Sequence, residues 1–458
     1  MKHLRNLFGA AMLLVIALTL TGCGNGDNAL EEIINNGGSS TPSFNALETP
    51  LTFEAVSGTV TMTINNTNAT DKTLEYKVDD AEWASKTIAA GTTFNLPAGK
   101  VIQFRGEETS YGVLAGFTHL CIFGDADYYV YGNIMSLVDK DNFATNKTLT
   151  GDATFLALFT KDTGSIVVND KLKKHPSKTL ELPATTLTKA CYYGLFQYCT
   201  GLTEVPFESL PAKTMVESCY SAMFNATALT SIPEKLLPAT TLAKSCYEDM
   251  FHGCAYLTTI PSKLLPATTL AESCYSSMFC LTGITSLPSD LLPATQMKKD
   301  CYCRMFQMSK LQSIPAGLLP SMNLAESCYE HMFSHCPDLT NVPYSLLPAT
   351  TLAVECYYHM FYNCPELVSS PKLGASTLVD YCYGNMFTDC VKLGSITCLA
   401  TSGFHTGSGD PLVNWLENTG NSAGSKTIVI DSSLSLADPT PWVQNSNSGI
   451  PTGWTISH

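Results

Sequence analysis

The chain has 458 residues, 45% of them hydrophobic and only 14% charged, with a formal net charge of −14. That is enough apolar mass for a large core with few charges to spare. An acidic surface of this kind repels phosphate-rich partners and no basic stripe offsets it, so no nucleic-acid partner is expected.

In chain order, Lys2 and Arg5 precede an apolar run from Leu7 to Leu18 that is short for a membrane span and typical of a secretory signal. It ends in Leu20-Thr21-Gly22-Cys23, a tetrad that resembles the bacterial lipobox. That resemblance implies cleavage after residue 22, acylation of Cys23, and a mature net charge of −16 once Lys2 and Arg5 are gone. Residues 23–44, rich in Gly, Asn, Ser and Asp, read as a flexible tether.

Residues 45–116 alternate in hydropathy at Thr59–Ile64, Leu74–Val78, Thr93–Leu96 and Val101–Phe104, with turn residues between them. The pattern predicts half-buried strands of an immunoglobulin-like β-sandwich. Residues 117–180 read as a transition and N-terminal cap, with a strand at Tyr128–Tyr131 and a degenerate repeat core at Phe155–Phe159.

From 181 to 398 one unit recurs: Cys-Tyr, two variable residues, Met or Leu, then Phe. It starts at Cys191, Cys219, Cys246, Cys274, Cys301, Cys328, Cys356 and Cys382, at intervals of 26 to 28 residues. A fixed period in this range predicts a solenoid whose units bury their apolar faces only against one another. In the unit led by Pro238, the apolar positions Leu242, Cys246, Tyr247, Met250, Phe251 and Cys254 predict one face of a short helix, capped by Thr240 or Thr241 and ended by Gly253. Leu257–Pro261 then predicts a brief strand stopped by its proline. One strand and one helical turn per unit gives an α/β leucine-rich-repeat solenoid of about eight units. Residues 399–458 are expected to form the C-terminal cap, with a short helix at 411–417, a strand at Thr427–Ile430, and Trp442 and Trp454 closing the core.

Eighteen cysteines in an exported chain suggest disulfides, but their spacing argues for buried thiols. Cys246 and Cys254 would lie about 12 Å apart along a helix, beyond the reach of a disulfide. A second column, Cys199, Cys254, Cys336, Cys364 and Cys390, occurs only in units with one extra turn residue, and is expected to plug the core there. No Cys-x-x-Cys pair occurs, and no cofactor or metal is expected.

The Leu-Pro-Ala-Thr-Thr-Leu lead, the Cys-Tyr-x-x-Met-Phe core and the Leu-Thr-x-Ile-Pro close resemble the leucine-rich-repeat surface lipoproteins of Bacteroidales, and are similar to BspA-type repeats. The resemblance covers 181–398; the tail Gly449–Ile456 and the sandwich resemble the flanking parts of the same proteins. It implies a lipid-anchored outer-membrane protein, facing the cell exterior, that attaches to host or microbial surface proteins.

The variable columns between the apolar ones are where such a partner would touch. Tyr193, Glu330, His331, His335, Tyr358 and His359 are the candidate binding residues, since Tyr and His beside carboxylates suit a mixed protein contact. An i, i+4 pair such as His331 and His335 can share zinc, but only Glu330 suggests itself as a further ligand beside His359, so no metal is assigned there. Catalysis is not expected: the cysteines near His252 and His335 belong to structural columns, and the acids Glu248, Asp249 and Glu330 lie on surface columns rather than in a cleft. The expectation is a monomeric, non-catalytic adhesin; capture of surface polysaccharide for a nutrient-uptake system is the alternative.

Overall fold

The computed structural model describes residues 44–436, 442 and 448–458. The signal run, Cys23 and the tether lie outside the described residues.

The N-terminal strands form two antiparallel sheets. One carries β1 (Leu51–Ala55), β3 (Lys72–Val78), β4 (Ala84–Ile88), β6 (Val101–Arg105) and β9 (Tyr128–Asn133) in the order β9-β1-β6-β3-β4. The other runs β5-β2-β8-β7, built from β2 (Val60–Asn66), β5 (Thr92–Leu96), β7 (Gly112–Val113) and β8 (Thr118–Gly124). The period-2 pattern drives this: in β2, Val60, Met62 and Ile64 are buried while Thr61 and Thr63 are half-exposed. The two-sheet unit extends to Asn133, past the boundary expected at 116, because β8 pairs with β2 and β9 with β1. After the four-residue 3-10 turn Ile134–Leu137, capped by the Asn133 side chain, the chain enters the repeats.

In the repeats, the α/β expectation fails. Among the described residues there is no α-helix, and the chain is almost entirely β and turn. Where a helix was expected the backbone runs as tandem tight turns, with a residue of positive φ at every fourth position: Ser245 (51°), Asp249 (56°) and Gly253 (73°) in one unit, Ser327, His331 and His335 in another. The N–H groups of Cys246, Glu248, Met250, His252 and Cys254 each donate three residues back. Those of Ser245, Tyr247, Asp249, Phe251 and Gly253 donate instead to the next coil, for example Tyr247 to the Cys274 carbonyl at 3.1 Å and Gly253 to the Cys280 carbonyl at 2.8 Å.

The reason lies in the spacing. Cys246-Tyr247 point in, Glu248-Asp249 lie outward, Met250-Phe251 point in, His252-Gly253 lie outward, and Cys254 points in. That is a period of four, whereas a helix of 3.6 residues per turn would rotate the apolar pair off the core face by about 40° at each repetition. A helix would also keep all its hydrogen bonds to itself, while the tandem turns give half of theirs to the neighbouring coil. A non-glycine residue in the left-handed region costs about 1–2 kcal/mol, and the inter-coil ladder offsets that cost. Gly253 therefore occupies a left-handed turn position rather than a helix C-cap, and Thr240 and Thr241 precede turns rather than cap a helix.

The same cadence continues past the Cys-Tyr motifs at both ends. Phe155–Phe159 forms a first coil, with Ala153 and Ala157 at positive φ and the Phe155 N–H bonded to the Cys191 carbonyl. Residues 411–417, expected to be helical, form a last coil of turns: Asn414 and Asn418 take positive φ, and the Tyr383, Asn385 and Phe387 N–H groups donate to Pro411, Val413 and Trp415.

Inside the coils, in-register repetition stacks like on like. Tyr192, Tyr220, Tyr247, Tyr275, Tyr302, Tyr329, Tyr357 and Tyr383 form one ladder with ring centroids 5.5 to 6.0 Å apart and planes within 13°. A second runs from Phe159 through Phe196, Phe224, Phe251, Phe279, Phe306, Phe333 and Phe361 to Phe387. The 17 cysteines among the described residues are buried, free thiols. The second cysteine column acts as expected: Cys199, Cys254, Cys336, Cys364 and Cys390 each place Sγ 3.1 to 3.3 Å from the Phe carbonyl of the coil before. Where that cysteine is absent a hydroxyl takes its place, as at Thr227, Thr282, Ser309 and Thr419.

The strand row is weaker than expected in the middle coils. Thr285 donates to Thr258, Gln312 to Thr285 and Thr340 to Gln312, with a second bond from Ile314 to Asn341, because a proline follows three residues after each of these first three donors and has no N–H to give. A four-stranded, all-parallel sheet forms at the C-terminal end, as β12 (Ser369–Leu373), β13 (Ser395–Cys398), β14 (Thr427–Val429) and β15 (Thr455–Ser457). Both expected tryptophans do close this end: Trp442 stacks on Trp415 at 5.6 Å, and Trp454 is buried.

The sandwich seals the other end. β9 pairs in parallel with β10 (Leu172–Lys174) and β11 (Leu180–Glu181). Ile122 of β8 donates to the Leu158 carbonyl of the first coil, and Phe53 of β1 packs edge-on to Phe159, the first rung of the phenylalanine ladder. The two regions thus share one core.

Candidate functional site

Because each four-residue turn turns two residues outward, the second and third positions after the first cysteine form two adjacent surface columns. His331 and His359 are neighbours in one; Glu330 and Tyr358 are neighbours in the other. The inter-coil bonds from His331 N–H to Tyr358 (2.9 Å) and from His359 N–H to Gly384 (3.0 Å) fix their spacing.

Five of the six expected binding residues meet in one patch. The rings of His331 and His359 stack face to face at 4.3 Å with planes 7° apart. Tyr358 stands edge-on to His359 at 4.1 Å, and Glu330 lies 3.8 Å from Nε2 of His331. His335 is 3.5 Å from the Ser334 hydroxyl, which also meets Nδ1 of His331 at 3.2 Å and accepts from Gln307 at 2.9 Å. Tyr193 is not part of this patch; it sits near the first coil against Phe117, 5.8 Å away.

Four contributors escaped the sequence reading. Tyr362 packs 5.1 Å from both His335 and His359, Tyr381 lies 5.8 Å from Tyr358, Asn385 donates to the Tyr358 hydroxyl, and Arg304 approaches Glu330 at 3.7 Å. The available signal was the column just after each phenylalanine, which carries Tyr362 one coil after Ser334; a helical reading does not align that column with the histidines.

The electrostatics follow from burial. Desolvation, with His359, Arg304 and His335 close by, pushes His331 down to about 3, and desolvation with His335 and Arg304 pushes His359 down to about 4. Both are neutral at physiological pH, and Nδ1 of His359 is buried without a hydrogen-bond partner. Burial raises Glu330, which Arg304 and a Ser327 hydrogen bond partly oppose. The patch is therefore aromatic, half-buried and nearly uncharged apart from Arg304 and Glu330.

As a zinc site the three histidines fail, since stacked rings do not converge their nitrogens. Among the described residues the one trio of metal-competent groups with ligand atoms close together is Asp300, Cys303 and Glu330, beside the patch. Cys303 and its off-column companion Cys280 are both buried.

A second polar cluster, unforeseen in the sequence, joins sandwich to coils. Lys178 reaches the Glu54 carboxylate at 2.8 Å and the Tyr131 hydroxyl at 2.9 Å, and Tyr131 donates to Glu54 at 2.9 Å. Burial works to raise Glu54, but the bonds from Lys178 and Tyr131 outweigh it and hold the carboxyl below its ordinary value. His175 sits between the Tyr129 and Tyr131 rings and borders a cleft of about 350 Å³ that also takes in Lys174, Glu204 and Phe207. Lys174 pairs with Glu204 and Lys178 with Glu54, so both lysines of the cleft are neutralised.

No family model, curated protein or solved structure matches this chain. No helix among the described residues is long and apolar enough to cross a membrane.

Proposed function

We propose that this chain is a surface lipoprotein of the BspA-like leucine-rich-repeat kind: acylated at Cys23, held on the outer membrane, and carrying an immunoglobulin-like module followed by a non-catalytic binding solenoid. The partner is a host or microbial surface protein. The observation that supports the reading is the clustering of His331, His335, Tyr358, His359 and Tyr362 on neighbouring coils, the columns of Tyr358 and of the stacked histidines holding Ser, Ala or Gly in several other coils. Half-buried aromatic and imidazole rings with one Arg–Glu pair at their edge are the composition of a protein-contact centre. A glycan platform needs open ring faces, and here the rings cover one another, His331 face to face on His359 and Tyr358 and Tyr362 edge-on to His359.

The test is binding of the full-length protein to immobilised extracellular-matrix proteins and polysaccharides, beside a Tyr358→Ala, His359→Ala double variant. Saturable binding to a protein that falls at least tenfold in the variant supports the proposal. Binding to a polysaccharide favours the nutrient-capture alternative, and binding to a protein unchanged by the substitutions moves the site off this patch.

A further inference from the structure

From the geometry of the coils that start at Cys301 and Cys328 we infer a site for one thiophilic divalent cation, zinc in the first instance, bound by Asp300, Cys303 and Glu330. Asp300 and Cys303 belong to the coil that starts at Cys301, and Glu330 to the next. Their ligand atoms already lie within 4.8 Å of one another. Zinc–ligand bonds of about 2.0–2.3 Å place donor atoms roughly 3.5 Å apart in a tetrahedral set, so a small swing of the half-exposed Glu330 carboxylate completes the approach.

The repeats themselves supply the comparison. In the column just before the first cysteine, Ala190, Ser218, Ser245 and Ser273 precede Asp300, and Ser327 follows it. In the column two residues after that cysteine, Ser276 precedes Cys303 and Glu330 follows it. Acids also occur in these columns at Glu355 and Glu248, but among the described residues Asp300, Cys303 and Glu330 are the one trio that brings three metal-competent ligand atoms together.

Cys303 is the independent indication. It is 4% exposed and its Sγ has no hydrogen-bond partner, whereas the second-column cysteines each reach a carbonyl. Its surroundings are two carboxylates rather than the apolar filling of the ladders. Crowded acids of this sort are relieved when a cation replaces their protons. With all three deprotonated, a divalent ion and the Arg304 guanidinium 3.7 Å from Glu330 balance the three ligand charges. The thiolate selects zinc or cadmium over magnesium and calcium, and three protein ligands leave a fourth position for water. The bound ion would tie the Cys301 coil to the Cys328 coil next to the histidine–tyrosine patch.

The inference stands apart from the proposed function and is tested without any partner. The reduced full-length protein is titrated with cobalt(II), followed by the near-ultraviolet thiolate-to-cobalt charge-transfer band, and then with zinc. One equivalent of cobalt, displaced by zinc, is expected. Cys303→Ser should abolish the band, Glu330→Gln should weaken binding at least tenfold, and Cys280→Ser should leave both unchanged. Ser fits at 303, since Ser221 and Ser276 hold that column in other coils, and an unaltered thermal transition of the metal-free variant verifies the fold. A wild-type protein that gives no band at micromolar cobalt, or a band that survives Cys303→Ser, overturns the site.

Discussion

The two-sheet unit and the coil array bury the same kinds of side chain by different backbone arithmetic. In the sandwich, period-2 alternation sends one face of each strand inward, and antiparallel neighbours such as β1 and β6 satisfy every second backbone group across the sheet. In the coils, a period of four sends residues in by pairs, and left-handed residues at fixed positions let the backbone share its hydrogen bonds between its own turns and the next coil. The sandwich tolerates a local fault, because each strand has its own partners. The coil array depends on register: shifting one coil would break both aromatic ladders and the turn ladder at once.

The largest test of that contrast is Phe306→Ala. Its ring is fully buried between Phe279 and Phe333, and truncation should cost about 3–5 kcal/mol in denaturant unfolding, with loss of protection in the neighbouring coils by hydrogen exchange. Met62→Ala in β2 removes a fully buried side chain from the sandwich, and should cost about 2–5 kcal/mol while leaving the distal coils protected. Equal loss of protection everywhere in both variants would dissolve the distinction.

Acid should act on the coils through the stacked histidines. Because the folded-state values of His331 and His359 lie below the ordinary imidazole value of 6.5, the unfolded chain binds protons first as pH falls. Their contribution is complete above about 6.5 and is lost as the pH drops toward 4 and then 3, where the folded state protonates as well. Between pH 7 and 5 the wild type should lose more stability than a His331→Gln, His359→Gln variant, measured as denaturation midpoints. Parallel midpoint curves for the two proteins would show that the imidazoles are not held neutral.

Next in size is Cys364→Ala, which removes a buried thiol whose Sγ lies 3.2 Å from the Phe333 carbonyl. The expected cost is about 1–2 kcal/mol, from a small cavity and a weakened hydrogen bond. Cys364→Thr should cost less, because Thr419 fills the equivalent place in the last coil and donates to the Phe387 carbonyl at 2.7 Å.

Much of this was legible in the sequence. The repeat period, the buried Cys, Tyr, Met and Phe positions, the second cysteine column and four of the sandwich strands follow from spacing and hydropathy alone. The helix did not survive, because over a single eight-residue stretch the steps of three, four and one fit a 3.6-residue helix nearly as well as a four-residue turn. The paired form Cys246-Tyr247, Met250-Phe251 is the discriminating detail. The extra strands β1, β4 and β8 were missed where alternation is interrupted or, as in β8, where both faces are buried and the run is nearly all apolar. His331, Glu330, Tyr358 and His359 were legible as neighbours in columns. Tyr362, Tyr381 and Arg304 were not, since their approach depends on turn geometry, and Tyr193 was joined to the patch only by sharing a column with Tyr358.

The patch depends on four-residue turns that bring those columns together, and Leu281 probes those turns. It is exposed and sits at φ 59°, a position where a turn gains from glycine and a helix loses from it. Measured by denaturant unfolding against the wild type, Leu281→Gly should stabilise the protein by about 1 kcal/mol as left-handed strain is relieved. A loss of about 1 kcal/mol, the helix-interior value, would contradict the tandem-turn coil and the patch built on it.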